Sequence, residues 1–300
     1  MMVSFDIEGV IAPVFTPIDS EGKLNTSVVP DYVSYLVNHG IRAVLVGGTT
    51  GEAVTLSLEE RKTILAAWLD AGKPQELKVI AQVGGVPMPE VLEMAKFAEQ
   101  HQADAIMTLP EIYYKPSSTE LLVSYLEEVS SAAPSLPLLY YHFPMMSGVD
   151  VKIPEFFALA TARIPNFKGM KADLGVAVQV TDMLGEDQRI FNGNHMIAPA
   201  VLLGHESSIA TVTNMFPRLM LDIVAATRAG EVARVRELQA RMNRLVSAIT
   251  SQGDFLPSMK AAMRLVTGIE VGPPRHPMRP LDEAHTRRVR DKLKALDVVD

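Results

Sequence analysis

Short apolar segments alternate along most of the chain with longer segments whose apolar residues recur at helical spacing. Eight of the short segments are bounded by turn residues and predict β-strands. They cover residues 10–15, 43–46, 78–83, 105–109, 136–141, 167–171, 189–192 and 208–212. Several of these strands begin about 30 residues apart, which is typical of strand–helix–strand units.

The helix boundaries agree with this pattern. Ser57 and Ser118 are suitable helix caps, and Gly40 and Gly72 suit helix ends. Eight strand–helix units in roughly 215 residues fit a closed α/β barrel better than an open doubly wound sheet, which usually carries a glycine-rich fingerprint. We therefore predict a (β/α)8 TIM barrel.

From Pro217 onward the pattern is helical only. It predicts helices over residues 219–229, 231–251, 256–267 and 282–296. The segments that join them are not rich enough in linker residues to make an independent unit. We expect one domain over residues 1–300, in which 7–216 form the barrel and 217–300 form a C-terminal helical extension packed on the barrel or on another subunit.

Composition and charge exclude several classes of protein. The net charge is −7 and no run of five like charges occurs, so neither a nucleic acid nor an anionic membrane is an expected partner. No apolar stretch approaches the roughly 20 residues that span a bilayer, and we expect a cytoplasmic protein. The absence of cysteine excludes disulfides, thiolate metal sites and cysteine nucleophiles. The histidines are dispersed without metal-site spacing, so no metal is expected.

In a TIM barrel the chemistry lies where the strands end. The sequence Gly-Gly-Thr-Thr-Gly-Glu over residues 47–52 directly follows the second strand. Gly48 allows the backbone to approach a ligand, and the hydroxyls of Thr49 and Thr50 lie beside free N–H groups. This arrangement suits a carboxylate or a phosphate; the alternative is a tight structural turn.

The fifth and sixth predicted strands end in polar groups. Tyr140, Tyr141 and His142 close the fifth strand, although a buried tyrosine such as Tyr140 often only satisfies its own hydroxyl. Alternation in the sixth strand places Phe167, Gly169 and Lys171 on one face. An amine in an apolar lumen is a nucleophile that can form a Schiff base with a carbonyl. The alternative is a lysine that extends to solvent at the strand end.

Taken together, the loop at 47–52, Tyr141 with Pro144 and Gly148, and Gly169 with Lys171 resemble the signature of the N-acetylneuraminate lyase and dihydrodipicolinate synthase superfamily. The chain resembles its lyase branch from about Ile7 to the last helix. The residues 140–144 and 272–275 look especially like those of the animal members.

The resemblance implies a role for each matching residue. Lys171 matches the Schiff-base lysine, Tyr141 the tyrosine beside the substrate, and Thr49 and Thr50 the pair that holds a pyruvate-type carboxylate. Tyr113 matches an aromatic residue that can reach into a neighbouring subunit's site. The resemblance further implies a homotetramer, pyruvate and a 2-keto sugar acid as ligands, and no cofactor beyond the covalent imine on Lys171.

The match is incomplete on the sugar side of the site. Dihydrodipicolinate synthases carry an arginine where this chain has Met146, which favours the lyase branch. That branch in turn carries a hydroxyl residue shortly after the lysine, where Asp173 stands here. Two acidic residues of the branch correspond to Asn194 and His195, which follow Gly193. Thr211 matches the hydroxyl residue of the eighth strand.

The resemblance therefore implies a class I, Schiff-base lyase that cleaves a sialic acid to N-acetylmannosamine and pyruvate. Because an amide and an imidazole replace two carboxylates, the balance of donors and acceptors for sugar hydroxyls is changed. Two alternatives follow from that change. One is an aldolase or dehydratase of another 2-keto-3-deoxy sugar acid, and the other is a keto-acid-binding homologue with impaired catalysis.

Overall fold

Eight parallel strands close into a barrel in a computed structural model that describes residues 3–299. The strands are β1 Val10–Pro13, β2 Ala43–Val46, β3 Lys78–Gln82, β4 Ala105–Thr108, β5 Leu138–Tyr141, β6 Phe167–Ala172, β7 Arg189–Asn192 and β8 Ser207–Ile209. Each strand pairs with the next one in the chain, and β8 returns to β1 through Ser208 and Val10. The predicted TIM barrel is therefore confirmed.

The barrel has two apolar layers because the side chains of each strand alternate in direction. One set fills the lumen, and the opposite set packs against the surrounding helices. The lumen set includes Ile11, Leu45, Ile80, Met107, Leu139, Phe191 and Ile209, all of them buried. Their bulk leaves room for polar side chains only above them, where the strands end.

Twelve α-helices and several short 3-10 turns accompany the strands over the described residues 3–299. The barrel helices are α1 Val29–Asn38, α2 Leu58–Gly72, α3 Met88–Gln100, α4 Thr119–Ala132, α5 Pro144–Ser147, α6 Ile153–Arg163, α7 Leu174–Ala177 and α8 Ile197–Leu202. The predicted caps are present: Ser57 and Glu60 form a reciprocal capping box on α2, and Ser118 accepts the amide of Leu121 on α4.

The alternation predicted for β6 is wrong at its beginning. Leu138 of β5 pairs with Phe167, but Leu139 already pairs with Gly169. Lys168 is thus an extra residue in β6, and it donates from its ammonium to the Asp187 carboxylate. Phe167 is shifted to the helix-facing layer, whereas Lys171 keeps the direction toward the lumen.

The aromatic layer outside β6 and the backbone of Gly169 show the consequence. The Phe167 ring centre lies 5.4 Å from that of Phe157 and 6.0 Å from that of Phe156, both on α6. Gly169 has φ +122°, and a Cβ there would lie 1.9 Å from the Arg189 carbonyl oxygen. Only glycine fits this position.

The predicted eighth strand is also shorter than expected. It ends at Ile209, and Thr211–Asn214 form a 3-10 turn. The Asn214 amide stabilises this turn because it donates to the carbonyl oxygens of Thr211 and Pro13, at 2.9 and 2.8 Å. Thr211 therefore lies on a short turn at the top of the barrel.

The last four helices are α9 Pro217–Arg228, α10 Val232–Thr250, α11 Phe255–Thr267 and α12 Glu283–Lys294. They agree with the four helices predicted after Pro217. Helix α10 packs on α8, α9 and α11, and α11 contacts the Thr211–Asn214 turn. The extension thereby reaches the end of the barrel at which the polar strand ends lie.

Among residues 3–299, none of the helices has both the length and the apolarity that a bilayer crossing requires.

Candidate active site

Lys171 and Tyr141 meet at the carboxyl ends of β6 and β5. Their backbones are paired in the barrel ladder, and both side chains point into the lumen. Lys171 Nζ donates to Tyr141 Oη at 2.6 Å and lies 3.9 Å from the centre of the tyrosine ring. Lys171 is 7% exposed and Tyr141 is 3% exposed, so the pair is shielded from bulk solvent.

The loop after β2 brings two hydroxyls to this pair. Thr49 Oγ1 lies 3.0 Å from Tyr141 Oη. The amides of Gly51 and Glu52 turn back to the carbonyl oxygens of Gly48 and Thr49, at 3.0 and 3.2 Å. The amides of Thr49 and Thr50 take no part in these turn bonds and have no acceptor within the described part of the chain. Such a loop can bind a carboxylate through its N–H groups.

Thr50 connects the same loop to the end of β8, which only β1 separates from β2 in the barrel. Its Oγ1 lies 2.8 Å from Oγ1 of Thr211, which belongs to the 3-10 turn after β8. Thr50 itself is 4% exposed. The threonine pair thus closes the ring of polar groups around the top of the lumen.

These residues line a cavity of about 460 Å³ that opens above Lys171. Its polar lining includes Thr49, Thr50, Tyr141, His142, Lys171, Asp173, Asn194, His195 and Thr211. Gly193 also lines it, and a Cβ at Gly193 would lie 3.5 Å from Lys171 Cε. All the site residues predicted from the sequence therefore converge here, apart from Gly48 and Tyr113, which do not line the cavity.

The far side of the cavity holds the residues that depart from the lyase pattern. The Asn194 amide donates to Asp173 Oδ1 at 3.1 Å, and the Asn192 amide donates to Asn194 Oδ1 at 3.2 Å. Burial lowers the pKa of His195 below its ordinary value of 6.5. This wall therefore presents the side chains of Asp173 and Asn194 and, at neutral pH, a neutral His195 imidazole.

His142, which the sequence places with two tyrosines at the end of the fifth strand as a group that can transfer protons or fill the barrel mouth, lines the cavity. It is 4% exposed, and its Nδ1 has no hydrogen-bond partner among the described residues. Burial lowers its pKa, although the charges of Asp150 and Asp173 oppose that shift. Strand alternation would turn His142 away from Tyr141, but β5 ends at Tyr141 and His142 follows it at the cavity.

Apolar side chains that lie far apart in the chain complete the cavity. Met145 and Met146 come from α5, Val246 from α10, and Phe255 and Met259 from α11. The sequence placed the last three in an extension but could not predict which of their faces reaches the barrel.

Tyr140 and Tyr113, two of the tyrosines named from the sequence, lie outside the cavity. Tyr140 packs in the helix-facing layer with its ring centre 4.8 Å from that of Phe156, and its buried hydroxyl has no partner within residues 3–299. Tyr113 is 84% exposed and stacks edge-on against Tyr114, with 5.1 Å between the ring centres. The predicted contact of Tyr113 with a neighbouring subunit's site stays a prediction.

The fold and the buried lysine–tyrosine pair define a TIM barrel built for carbonyl chemistry. Residues 6–296 match the model of the dihydrodipicolinate synthetase family. The chain is 31% identical over 297 residues to the N-acetylneuraminate lyase of Mus musculus. The aligned region covers 97% of this chain and 93% of the mouse protein. The chain belongs to the dihydrodipicolinate synthetase family.

Solved structures agree with this placement. The N-acetylneuraminate lyase of Proteus mirabilis superposes with a TM-score of 0.92 at 29% identity, covering 98% of this chain and 99% of that one. A sialic acid aldolase of Ruminococcus gnavus, described as a catalytic lysine mutant, superposes with a TM-score of 0.90 at 25% identity over 97% and 95% of the two chains. A lysine is thus catalytic in that aldolase.

Proposed function

We propose that this protein is a class I, Schiff-base lyase that cleaves N-acetylneuraminate to N-acetylmannosamine and pyruvate. The observation that carries the proposal is the 2.6 Å contact between Lys171 Nζ and Tyr141 Oη, inside a cavity that Thr49 and Thr50 also line. The lyases among the relatives support the choice of substrate.

The reaction begins with the carboxylate of the open-chain 2-keto acid. The Thr49 and Thr50 amides and hydroxyls bind C1, which places the C2 carbonyl above Lys171. The amine of Lys171 attacks C2, and loss of water gives a protonated imine. Burial in the lumen keeps competing water away from this intermediate.

Cleavage then moves electrons into the imine. Tyr141 Oη takes the proton of the C4 hydroxyl, the C3–C4 bond breaks, and its electron pair forms the enamine of pyruvate while C4 becomes the aldehyde of the sugar. The proton returns to C3, and hydrolysis of the imine releases pyruvate and the free lysine. Thr49 Oγ1, 3.0 Å from the phenol oxygen, relays the proton to and from the substrate carboxylate.

The far wall binds the sugar part of the substrate. Asp173, Asn194, His195 and Thr211 offer a carboxylate, an amide, a neutral imidazole and a hydroxyl to its hydroxyl and N-acetyl groups, and Gly193 lines the same part of the cavity. A single carboxylate here, already engaged by Asn194, accepts fewer hydroxyl protons than an acidic pair.

A second function is favoured by the apolar mouth of the cavity. Met145, Met146 and Phe255 line it, and such side chains suit a shorter 2-keto-3-deoxy sugar acid with fewer hydroxyls at its far end. The same imine would then support aldol cleavage or dehydration of that acid. A homologue that binds keto acids without turnover is the third possibility.

We further propose a cytoplasmic homotetramer in which Tyr113 of the partner subunit approaches the cavity. Tyr113 and Tyr114 are 84% and 86% exposed, which supports a contact of this segment with another subunit. Light scattering on the purified chain gives the oligomeric state, and a Tyr113→Ser variant tests the contact: dissociation together with lost activity supports it.

The imine is tested by incubation with pyruvate and borohydride, followed by mass analysis of the peptides. We expect a reduced pyruvyl adduct on Lys171 and none in a Lys171→Met variant. Lys168→Met is the matched control, because Lys168 lies on the same strand but is paired with Asp187 outside the lumen. Absence of an adduct on the wild-type chain would overturn the proposal.

The substrate is tested by coupling pyruvate release to lactate dehydrogenase. Release from N-acetylneuraminate in preference to shorter sugar acids supports the lyase. Release only from the shorter acids supports the second function, and adduct formation without turnover on any acid supports the third.

A further inference from the structure

A buried ion pair lies directly beneath the loop that carries Thr49 and Thr50. Lys260 of α11 donates to Glu52 Oε1 at 2.6 Å, and the two side chains are 2% and 1% exposed. Neither group takes part in the proposed reaction. Burial lowers the pKa of Lys260, and the adjacent Glu52 carboxylate opposes that shift.

The pair holds several distant segments of the chain together. Lys260 also donates to the carbonyl oxygens of Thr16 and Pro273, at 3.2 and 2.9 Å. The second oxygen of Glu52 accepts the backbone amide of Arg275 at 2.8 Å. The segment after β1, the loop after β2, α11 and the segment before α12 therefore share one polar centre.

The backbone at Glu52 helps to fix the position of the two threonines, which precede it in the same loop. It has φ +56°, a conformation that costs free energy in a residue with a side chain and needs surrounding contacts to persist. The neighbouring Gly51 carbonyl accepts the Thr16 hydroxyl at 2.6 Å. The loop is thus anchored at two successive residues immediately after Thr49 and Thr50.

The desolvation of two charges makes this a costly way to gain stability alone. Apolar side chains of similar volume often stabilise a core as well as a buried ion pair does. What the pair adds is a fixed geometry, because each donor and acceptor has a single arrangement that satisfies it. The same helix supplies Phe255 and Met259 to the cavity, so α11 positions both the loop and the wall opposite it.

We infer that Glu52 and Lys260 are positioning residues that fix the carboxylate-binding loop, and that they thereby set the affinity of the site for the C1 carboxylate of the keto acid. This inference rests on the proposed function. It makes the C-terminal extension part of the site, since Lys260 belongs to α11. Loss of the pair would loosen the amides of Thr49 and Thr50 while leaving Lys171 and Tyr141 in place.

The test measures the pyruvate concentration that gives half of the maximal borohydride-trapped adduct. The variants are Glu52→Gln, which keeps the shape and removes the charge, and Thr16→Val, which removes the second anchor. We expect the half-saturating concentration to rise by about tenfold or more for Glu52→Gln and by a smaller factor for Thr16→Val. The kcat for keto-acid cleavage should change much less than KM.

The matched control is Lys168→Met, which removes another buried lysine whose partner Asp187 is far more exposed. It can lower stability, but its half-saturating concentration should equal that of the wild type. Normalising each adduct to its own plateau removes the effect of any unfolded fraction.

The outcomes separate the two proposals. No adduct on the wild-type chain at any pyruvate concentration overturns the proposed function. A wild-type adduct together with unchanged half-saturation in both Glu52→Gln and Thr16→Val overturns the positioning role and leaves the proposed function intact. An equal shift in Lys168→Met would also overturn it, because the effect would then belong to general destabilisation.

Discussion

Lys171 Nζ and Tyr141 Oη are 2.6 Å apart at the top of the barrel, and Thr49 Oγ1 lies 3.0 Å from the same phenol oxygen. The nucleophile and the proton acceptor are thus adjacent before any substrate binds. Because the imine needs only the lysine, the two chemical steps can be separated by substitution.

Tyr141→Phe should slow cleavage while imine formation persists. Removal of the phenol takes away the group that accepts the C4 hydroxyl proton, so we expect kcat for pyruvate release to fall by about a hundredfold or more. Borohydride trapping should still give the adduct on Lys171. Tyr140→Phe is the control, since its hydroxyl is buried without a partner in the described residues, and it should keep wild-type kcat. An unchanged kcat in Tyr141→Phe would show that Tyr141 takes no part in the reaction.

Thr50 and Thr211 should be energetically coupled. Each hydroxyl is the other's partner at 2.8 Å, so either single valine variant should lower the free energy of unfolding by about 1 kcal/mol. The double variant should cost less than the sum of the two, as urea denaturation can measure. Strict additivity would show that the contact contributes nothing to stability.

Gly169→Ala should be strongly destabilising. The backbone has φ +122° and a Cβ would lie 1.9 Å from the Arg189 carbonyl oxygen, so β6 must shift or unpair. We expect a loss of about 3 kcal/mol or more, or no folded protein. Gly175→Ala is the matched control, because a Cβ there meets nothing within 4 Å. Similar melting temperatures for the two variants would contradict the observed bulge.

Stability should fall as the solution becomes acidic. Burial lowers the pKa of His142, His195 and His205 below 6.5, so between the lowered value and 6.5 the unfolded chain binds more protons than the folded one. The stability that comes from these neutral rings is therefore fully present above 6.5 and is lost as pH falls through the lowered pKa values.

Urea denaturation at about pH 7.5 and about pH 5.5 measures this effect. His205→Gln should reduce the pH dependence, because glutamine does not titrate. Glutamine can also keep a bond to Thr181, whose hydroxyl lies 2.9 Å from His205 Nε2. A variant with the wild-type pH dependence would show that His205 does not contribute to it.

The barrel was predictable from the sequence because its strands are apolar runs at regular spacing. The shift in β6 was not, because the extra residue Lys168 depends on a pairing with β5 that no local pattern reveals. The length of β8 was overestimated for a similar reason. The Asn214 side chain that stabilises the turn after β8 donates to the carbonyl oxygen of Pro13, which is far away in the sequence.

The centre of the site was predictable and its surroundings were not. The residues of this centre are Lys171, Tyr141, Thr49 and Thr50. Each lies at or just after the end of a predicted strand and has a side chain suited to carbonyl or carboxylate chemistry, so the sequence alone could name it. The roles of Met259 and Lys260 depend on how α11 lies across the barrel, which helical periodicity does not specify. His142 was named at the end of the fifth strand, but strand alternation alone could not predict that it lines the cavity.

The most direct test of the account is the mass of the species that borohydride traps from N-acetylneuraminate itself. Cleavage followed by reduction predicts a pyruvyl adduct on the peptide that contains Lys171, even though no pyruvate was added. An unmodified protein, an adduct on another lysine, or an adduct that still carries the intact sugar acid as its sole trapped form would contradict a Schiff-base lyase.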